Sequence, residues 1–216
     1  MLLLDRLQRI DTASLSDANK GLRVLPPAIR RLASGHRMVG RVVTASANGD
    51  LMSVIGALEL GGADDVLVVS AGVADLAVAG ELFCTEAARR GMTGIVIDGL
   101  CRDSSLLVQL GLPVYSRGTT PRAPAANGIP VVQVPIVIGD VEVRPGDLIL
   151  GDDDGIVVGS ASEFESAIDA AEAIQVREKA LRSAIEQGHS LFDSLNFAEH
   201  ADRLRAGADS ALRFEG

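Results

Sequence analysis

The fold is decided by the stretch DVLVVSAGVADLAVAGELFCTEAARRGMTGIVIDGLCRD, residues 65–103. Its first six residues, 65–70, are almost all apolar, as in a strand that is buried on both faces of a sheet. Residues 81–90 have the apolar spacing of a helix, which Gly91 ends. Residues 94–98 (GIVID) form a second buried strand. A strand, a helix and a strand at this spacing make a crossover between parallel neighbours, so the sequence predicts an α/β fold.

Further elements are predicted on both sides of this unit. Before it we expect a helix pair within residues 1–23, a strand over 37–47 and a short helix over 51–60. Thr12 or Ser14 would cap the second helix of the pair, and residues 71–79, between the first strand and the helix of the unit, would be a loop. After it we expect a strand over 113–116 and a long loop. Residues 129–158 then consist of short β segments broken by Gly and Asp, which is typical of an antiparallel meander.

The C-terminal part of the chain has the pattern of a long helix. Ser162 and Glu165 can form a capping box, and residues 164–185 keep apolar side chains at helical spacing behind it. We therefore expect an α/β domain over residues 1–160. A helical extension over residues 161–216 would pack on its own domain or on a neighbouring subunit.

Composition excludes several classes of partner. The 216 residues carry 20 Lys plus Arg against 29 Asp plus Glu, a net charge of −9, and only 3% are aromatic. A face that binds nucleic acid or an anionic membrane needs positive charge, so we expect neither partner. Two cysteines and a short apolar N-terminal run indicate neither a disulfide framework nor a signal peptide, which predicts a cytoplasmic protein.

Most common catalytic chemistries are also excluded by the residues. The phosphate-binding, zinc-protease, nucleophile-elbow and paired-cysteine motifs are absent, and His36, His189 and His200 lack metal-ligand spacing. Schiff-base chemistry needs a buried lysine, and the only lysines, Lys20 and Lys179, lie near the two ends of the chain. Any metal would be held by carboxylate and water, which suits Mg²⁺ or Mn²⁺.

One candidate site remains, in GLCRD at residues 99–103. The carboxyl ends of parallel strands line the usual ligand crevice, and the helix that starts at residues 80–83 begins at the same edge. A helix N-terminus binds anions, Arg102 can grip a carboxylate through two hydrogen bonds, and Asp103 can anchor a cation. The pattern predicts a receptor for a small metal-chelating carboxylate. An adjacent Arg and Asp can equally form a surface ion pair or a turn.

The whole pattern resembles the RraA-like family, which includes the 4-hydroxy-4-methyl-2-oxoglutarate aldolases and the regulators of ribonuclease activity. The resemblance rests mainly on AGELFCTEAARRGMTGIVIDGLCRD (79–103), LPVYSRGTTP (112–121) and VPIVIGDVEVRPGDLILGDDDGIVV (134–158). TASLSDA (12–18) matches more weakly, and EKALRSAIEQGHSLFDSLNF (178–197) looks like the tails of longer members.

This resemblance implies a fold, a site and an assembly. The fold would be a swivelling β/β/α domain, assembled into trimers or hexamers with the site at a subunit interface. Arg102 matches the family's substrate arginine, and Asp103 matches its ligand for a divalent metal (Mg²⁺ or Mn²⁺). The substrate-binding turn of the family matches Gly80, Glu81, Leu82 and Phe83.

The resemblance also implies an activity, with two alternatives. Family members release pyruvate by retro-aldol cleavage of a 2-oxo acid and often decarboxylate oxaloacetate, in both cases through an enolate. One alternative is a protein-binding regulator of ribonuclease without catalysis, and the other is a specialised lyase of a biosynthetic pathway. Two positions depart from the family pattern: Leu106 stands where many aldolases have an acid, and Gly188-His189 stands where related tails often have Gly-Glu.

Overall fold

The computed structural model describes residues 2–32, 37–73 and 75–214. Its strands are β1 (Arg23–Val24), β2 (Arg30–Arg31), β3 (Met38–Ser46), β4 (Asp65–Ser70), β5 (Ala77–Ala79), β6 (Gly94–Cys101), β7 (Val114–Thr119), β8 (Ile136–Ile138), β9 (Val141–Val143), β10 (Leu148–Gly151) and β11 (Ile156–Gly159). Its α-helices are α1 (Leu3–Leu7), α2 (Thr12–Ala18), α3 (Met52–Leu60), α4 (Glu81–Arg89), α5 (Ser104–Leu107), α6 (Ala161–Glu186) and α7 (Phe197–Arg205).

A mixed sheet organises the described residues. Its strand order is β1-β11-β10-β3-β4-β6-β7-β2, and β5 pairs with the far end of β6. The central strands β3, β4, β6 and β7 are parallel, whereas β10, β11, β1 and β2 are antiparallel to their neighbours. The parallel centre confirms the predicted α/β class and places the carboxyl ends of β4, β6 and β7 at one edge.

Apolar side chains on the central strands point alternately to the two sides of the sheet, so both of its faces are apolar. On β4, Leu67 and Val69 pack under α3 and α4, whereas Val66 and Val68 belong to a second cluster with Tyr115 and the β8–β9 hairpin. Successive side chains of a strand point to opposite faces, so one all-apolar strand supplies both clusters. The sheet is therefore buried on both sides.

The sheet curls, so that its two ends approach each other. The Tyr115 hydroxyl on β7 donates a 2.9 Å hydrogen bond to the carbonyl of Asp152, which follows β10. Arg31 on the terminal strand β2 pairs with Asp153 at 3.0 Å. These contacts join distant positions in the strand order and enclose the second cluster.

The chain divides into two compact units, residues 1–171 and 172–216, and α6 runs across the division. The first turns of α6 belong to the α/β unit, because Phe164 and Ile168 are buried against β10, β11 and the N-terminal helices. The expected boundary after residue 160 stays a prediction. A capping box does begin α6, but it joins Ser160 to Glu163, two residues before the predicted pair.

The second unit is held by a few polar contacts. Its backbone forms the rest of α6, a 3₁₀ turn at Leu191–Ser194 and α7. The Asn196 side chain accepts a hydrogen bond from the Arg213 N–H at 2.7 Å and donates one to the carbonyl of Ala211 at 3.1 Å. No described helix combines the length and the apolar character that a bilayer crossing requires.

Three local expectations were wrong. Asp11 caps α2 by accepting a hydrogen bond from the Ser14 N–H, so neither Thr12 nor Ser14 is the cap. The predicted meander over 129–158 splits, because β8–β9 form a separate two-stranded sheet while β10–β11 join the main sheet. Residues 77–79, expected to be loop, form β5 because the end of β6 offers them a partner.

The placement of α6 makes a stability prediction. Phe164→Ala removes a fully buried ring from the α/β core and should lower the free energy of unfolding by about 3–5 kcal/mol. Val176→Ala, on the same helix but 71% exposed, is the control and should change stability by less than about 0.5 kcal/mol. Equal effects in denaturant titrations would contradict this assignment of α6.

Candidate active site

The candidate site forms where β6 ends and α4 begins. β6 extends through Cys101, beyond its partner β4, because β5 takes over the pairing at Leu100 and Cys101. Residues 99–101 are therefore strand, and the loop expected there begins only at Arg102. The Arg102 N–H donates a 3.0 Å hydrogen bond to the carbonyl of Ala79. This backbone bond fixes Arg102 beside Gly80, the residue that precedes α4.

Gly80 allows the two segments to touch. A Cβ atom at this position would lie 2.5 Å from Asp103 Oδ2 and 2.8 Å from Arg102 Cγ. The backbone of Gly80 is extended (φ −158°), a conformation that any residue adopts. Glycine is therefore required here for space, because any larger side chain would displace Arg102 and Asp103.

Asp103 caps α4 from outside the helix. Its Oδ2 accepts a 3.0 Å hydrogen bond from the Glu81 N–H and lies 3.5 Å from Arg102 Nε. Asp103 itself has left-handed backbone (φ 60°, ψ 33°), which Asp tolerates better than most residues. The helix start is thus not wholly open to a ligand, since one of its N–H groups already serves Asp103.

Two donors at the helix start remain available. Within the described part of the chain, the N–H groups of Leu82 and Phe83 donate no hydrogen bond. Unpaired N–H groups in the first turn carry partial positive charge, and the Arg102 guanidinium adds a full charge beside them. The Arg102 side chain is 42% exposed, so a solute can reach it. The arrangement can bind a small carboxylate.

Arg102 lies between two cavities of opposite character. The first, which we call the Arg102 slot, is a cavity of about 40 Å³ whose walls include Leu51, Ala77, Phe83 and Ala123. The second, the polar cleft, has a volume of about 420 Å³. Its lining is Arg102, Asp103, Ser104, Ser105, Thr119, Thr120 and Pro121. A ligand held by Arg102 would therefore face an apolar wall on one side and hydroxyl groups on the other.

The residues that the sequence singled out do come together here, whereas the cavity walls were not foreseen. Thr119 ends a strand that was expected to stop at residue 116, Thr120 follows that strand, and Leu51 and Ala123 belong to distant loops. β7 continues as far as Thr119 by pairing with the extended end of β6. Because such walls depend on long-range pairing, a local sequence pattern carries no signal for them.

The donor set fits a metal that keeps most of its water. In residues 2–32, 37–73 and 75–214, no three His, Cys, Asp or Glu side chains converge to hold an ion. Asp103 Oδ1 makes no hydrogen bond to these residues and borders the polar cleft. Mg²⁺ binds through one or two carboxylates together with substrate and water, so one free carboxylate oxygen beside an open cleft suits it. His36 lies outside the described residues.

Both cysteines lie behind the site as inert thiols. Cys84 on α4 and Cys101 on β6 are fully buried. Burial raises the pKa of Cys84 to about 12, and the nearby Cys101 and Asp103 add to this effect. Burial also raises the pKa of Cys101, against a hydrogen bond with Ser116 that lowers it. Thiolates are the reactive form, so neither residue is placed to act as a nucleophile.

Close approach at Gly80 predicts the effect of one methyl group. Gly80→Ala should lower the free energy of unfolding by about 1–3 kcal/mol, because the new Cβ collides with Asp103 and breaks its bond to the Glu81 N–H. Gly62→Ala is the control, since no atom lies within 4 Å of its added Cβ. Urea titration of the two variants measures the difference. Equal stability would contradict the close approach.

Burial of the two thiols predicts their reactivity. At pH 8, Ellman's reagent should label neither cysteine of the native protein, because both are inaccessible and remain protonated. After unfolding in guanidinium chloride, two thiols per chain should react. Rapid labelling of the native protein would show that the wall behind Arg102 opens.

Comparisons with known proteins identify relatives of this chain. The family model described as RraA-like, Aldolase/RraA, matches residues 12–158. A relative from Halalkalibacterium halodurans, named "Putative 4-hydroxy-4-methyl-2-oxoglutarate aldolase", is 35% identical over 184 residues, which is 84% of this chain and 88% of the relative. Names of this kind support a lyase.

Solved structures share the fold. A protein of Pseudomonas syringae pv. tomato has a TM-score of 0.79 at 30% identity. The match covers 88% of this chain and 95% of the Pseudomonas chain. The RNA-processing inhibitor RraA from Thermus thermophilus has a TM-score of 0.64 at 32% identity. This match covers 68% of this chain and 91% of the inhibitor's chain. The expected α/β fold of the swivelling β/β/α type, with a helical C-terminal region, is confirmed, and the chain belongs to the RraA-like family.

Proposed function

We propose that this protein is a divalent-metal-dependent lyase that cleaves a small 2-oxo acid and releases pyruvate. The observation that carries the proposal is the convergence of three groups: the start of α4, Arg102 and Asp103, whose Oδ2 bonds to the Glu81 N–H at 3.0 Å and lies 3.5 Å from Arg102 Nε. The names of the aldolase relatives support the same reaction class. The substrate we propose is 4-hydroxy-4-methyl-2-oxoglutarate or a close analogue.

Binding of the substrate would use the carboxylate next to the ketone. Arg102, Leu82 and Phe83 line the same slot. The Arg102 guanidinium and the free N–H groups of Leu82 and Phe83 are all hydrogen-bond donors with full or partial positive charge. Hydrogen bonds between a guanidinium and a carboxylate are charge-assisted and directional. They would orient the adjacent ketone and leave the hydroxylated part of the substrate in the polar cleft with Thr119 and Thr120.

Cleavage needs stabilisation of negative charge on the ketone oxygen. The C4 hydroxyl gives its proton to water and becomes the ketone of one pyruvate as the bond between C3 and C4 breaks. The electron pair of that bond forms the C2–C3 double bond of an enolate, whose negative charge rests on the ketone oxygen. Protonation of the resulting enolate at C3 yields pyruvate. Arg102, whose backbone is held by a bond to Ala79 and whose Nε lies 3.5 Å from Asp103 Oδ2, would supply positive charge near this oxygen.

Asp103 would hold the divalent metal through Oδ1, while Oδ2 stays bound to the Glu81 N–H. A Mg²⁺ or Mn²⁺ ion bound there would act as a Lewis acid toward the 2-oxo acid. Leu106, one turn into α5 and 44% exposed, offers no carboxylate to support this position. Since loss of such outer support commonly costs 10–100-fold in metal affinity or activity, we expect a weakly held metal.

The same groups support decarboxylation of oxaloacetate. Loss of CO₂ breaks the bond between C3 and C4 and leaves the same pyruvate enolate as the aldol cleavage. Arg102, together with the cation that Asp103 would hold, would therefore stabilise the same enolate oxygen in both reactions. We propose oxaloacetate decarboxylation as an accompanying activity.

A second candidate is a binding protein without catalysis. The structural neighbour from Thermus thermophilus is described as an inhibitor of RNA processing. The free Asp103 oxygen beside an accessible cleft favours the enzyme, because a docking surface has no need of a carboxylate at that position.

We also propose that the enzyme works as a homo-oligomer, a trimer or a hexamer, in the cytoplasm. Several large apolar side chains of the α/β unit are exposed, among them Leu82 at 75% and Ile129 at 89%. Exposed apolar surface of this kind is commonly covered by another protein surface. The two free cysteines are consistent with a reducing compartment.

The central test is Asp103→Asn. Asparagine tolerates left-handed backbone and keeps an acceptor for the Glu81 N–H, so the fold should persist. Loss of the metal-holding charge should lower kcat/KM by at least about 10²-fold. Pyruvate released from 4-hydroxy-4-methyl-2-oxoglutarate and from oxaloacetate measures this, with added Mg²⁺ and with EDTA.

Asp17→Asn on α2 is the matched control and should retain full activity, because this surface carboxylate pairs with Lys20, far in sequence from the candidate site. EDTA should abolish turnover by the unmodified protein. Absence of turnover of both substrates by the folded protein with metal would refute the lyase, and a ribonuclease pull-down that Asp103→Asn leaves intact would favour the binding protein.

A further inference from the structure

The Arg102 slot differs from the rest of the site in size and in chemistry. At about 40 Å³ it has room for only about three water-sized groups. Its side walls are aliphatic or aromatic: Leu51, Ala77 and Phe83, with Ala123 at the exposed rim. A volume this small and this apolar suits a methyl or methylene group next to the carboxylate that Arg102 holds.

The orientation of a bound 2-oxo acid follows from the two cavities. Hydroxyl and carboxylate groups line the polar cleft, so the polar half of the substrate belongs there. The retained three-carbon fragment has one apolar carbon, C3, and the Arg102 slot is the apolar space bordered by Arg102. In this orientation the slot would face C3 on the side away from the fragment that is cleaved off.

Two walls of the slot come from separate loops that one carboxylate ties together. Asp50 Oδ2 accepts hydrogen bonds from the N–H groups of Asn127 and Gly128, both at 3.0 Å. Its Oδ1 accepts one from Met52 at 2.8 Å, at the start of α3. Leu51 and the loop that carries Ala123 are thereby held in register, and the Leu51 N–H also bonds to the carbonyl of Ala125 at 2.9 Å.

We propose that the Arg102 slot selects 2-oxo acids by the size of any substituent that C3 carries besides the fragment cleaved from it, with Leu51 and Ala123 as specificity-determining residues. Asp50 is the positioning residue, because its hydrogen bonds to both loops fix the distance between the two walls. This inference rests on the proposed function, since it assigns the residues that limit the size of the group on C3 at the same site.

The test compares pyruvate with 2-oxobutanoate, which carries one more methylene group. Dissociation constants are measured by ligand-observed NMR in the presence of MgCl₂. The unmodified protein should prefer pyruvate by about 10–200-fold, the range for one methylene group in a tight apolar pocket. Leu51→Ala should widen the slot and reduce this preference several-fold, whereas Ala123→Val should narrow it and increase the preference.

Controls separate selection from general damage. Leu60 is exposed at the C-terminal end of α3, the helix that Leu51 precedes. Leu60→Ala should therefore leave the preference for pyruvate unchanged. In Asp50→Asn, an amide NH₂ replaces one of the two oxygens that accept hydrogen bonds from three N–H groups. This variant should reduce the preference for pyruvate over 2-oxobutanoate without abolishing binding of pyruvate. Circular dichroism verifies folding, and Leu51→Val replaces Leu51→Ala if the latter does not fold.

The outcomes distinguish the two levels of the proposal. Equal binding of pyruvate and 2-oxobutanoate by the unmodified protein, or a preference unchanged by both wall variants, would overturn the selection while the lyase proposal stands. An unchanged preference in Asp50→Asn would remove the role of Asp50. Failure of the unmodified protein to bind pyruvate would refute the proposed function, and this inference with it.

Discussion

The candidate site depends on one close approach, in which the carboxylate of Asp103 reaches the first N–H of α4 across the bare backbone of Gly80. The bond is 3.0 Å long, and it joins the residues that follow β6 to the helix that precedes β6 in the chain. A single Cβ at residue 80 would separate them. Arg102 lies inside this contact, so its position depends on the same absence of a side chain.

The sheet supplies the frame for that contact. β6 is the central parallel strand, and its extra length beyond β4 carries Arg102 past the end of β4. β5 pairs with this extension and leads directly into Gly80 and α4. One strand pairing therefore delivers both the helix terminus and the charged residues to the same edge, while buried Cys84 and Cys101 fill the space behind them.

The sequence predicted the parts of this site that local pattern determines. Asp65–Ser70 is almost all apolar and was predicted with its observed bounds, and Gly80, Arg102 and Asp103 were placed at one edge by the strand–helix–strand order alone. The extension of β6 through Cys101 was missed, because it depends on pairing with residues 77–79, a segment with no strand pattern of its own. Long-range pairing of this kind leaves no local trace.

The hydrogen bonds of the site could not be predicted from local sequence patterns either. The sequence indicated free N–H groups at the start of α4, but not that Asp103 occupies the first of them, because this requires left-handed backbone at Asp103. The tie between Asp50 and residues 127–128 joins positions more than seventy residues apart and has no motif. The charge of the site could be predicted, whereas its shape could not.

A crystal of the protein soaked with pyruvate and Mg²⁺ tests the central claim most directly. The account predicts pyruvate with its carboxylate on Arg102 and the N–H groups of Leu82 and Phe83, its methyl group toward Leu51, and an ion on Asp103 Oδ1. Pyruvate bound elsewhere, or an ion held without Asp103, would contradict it.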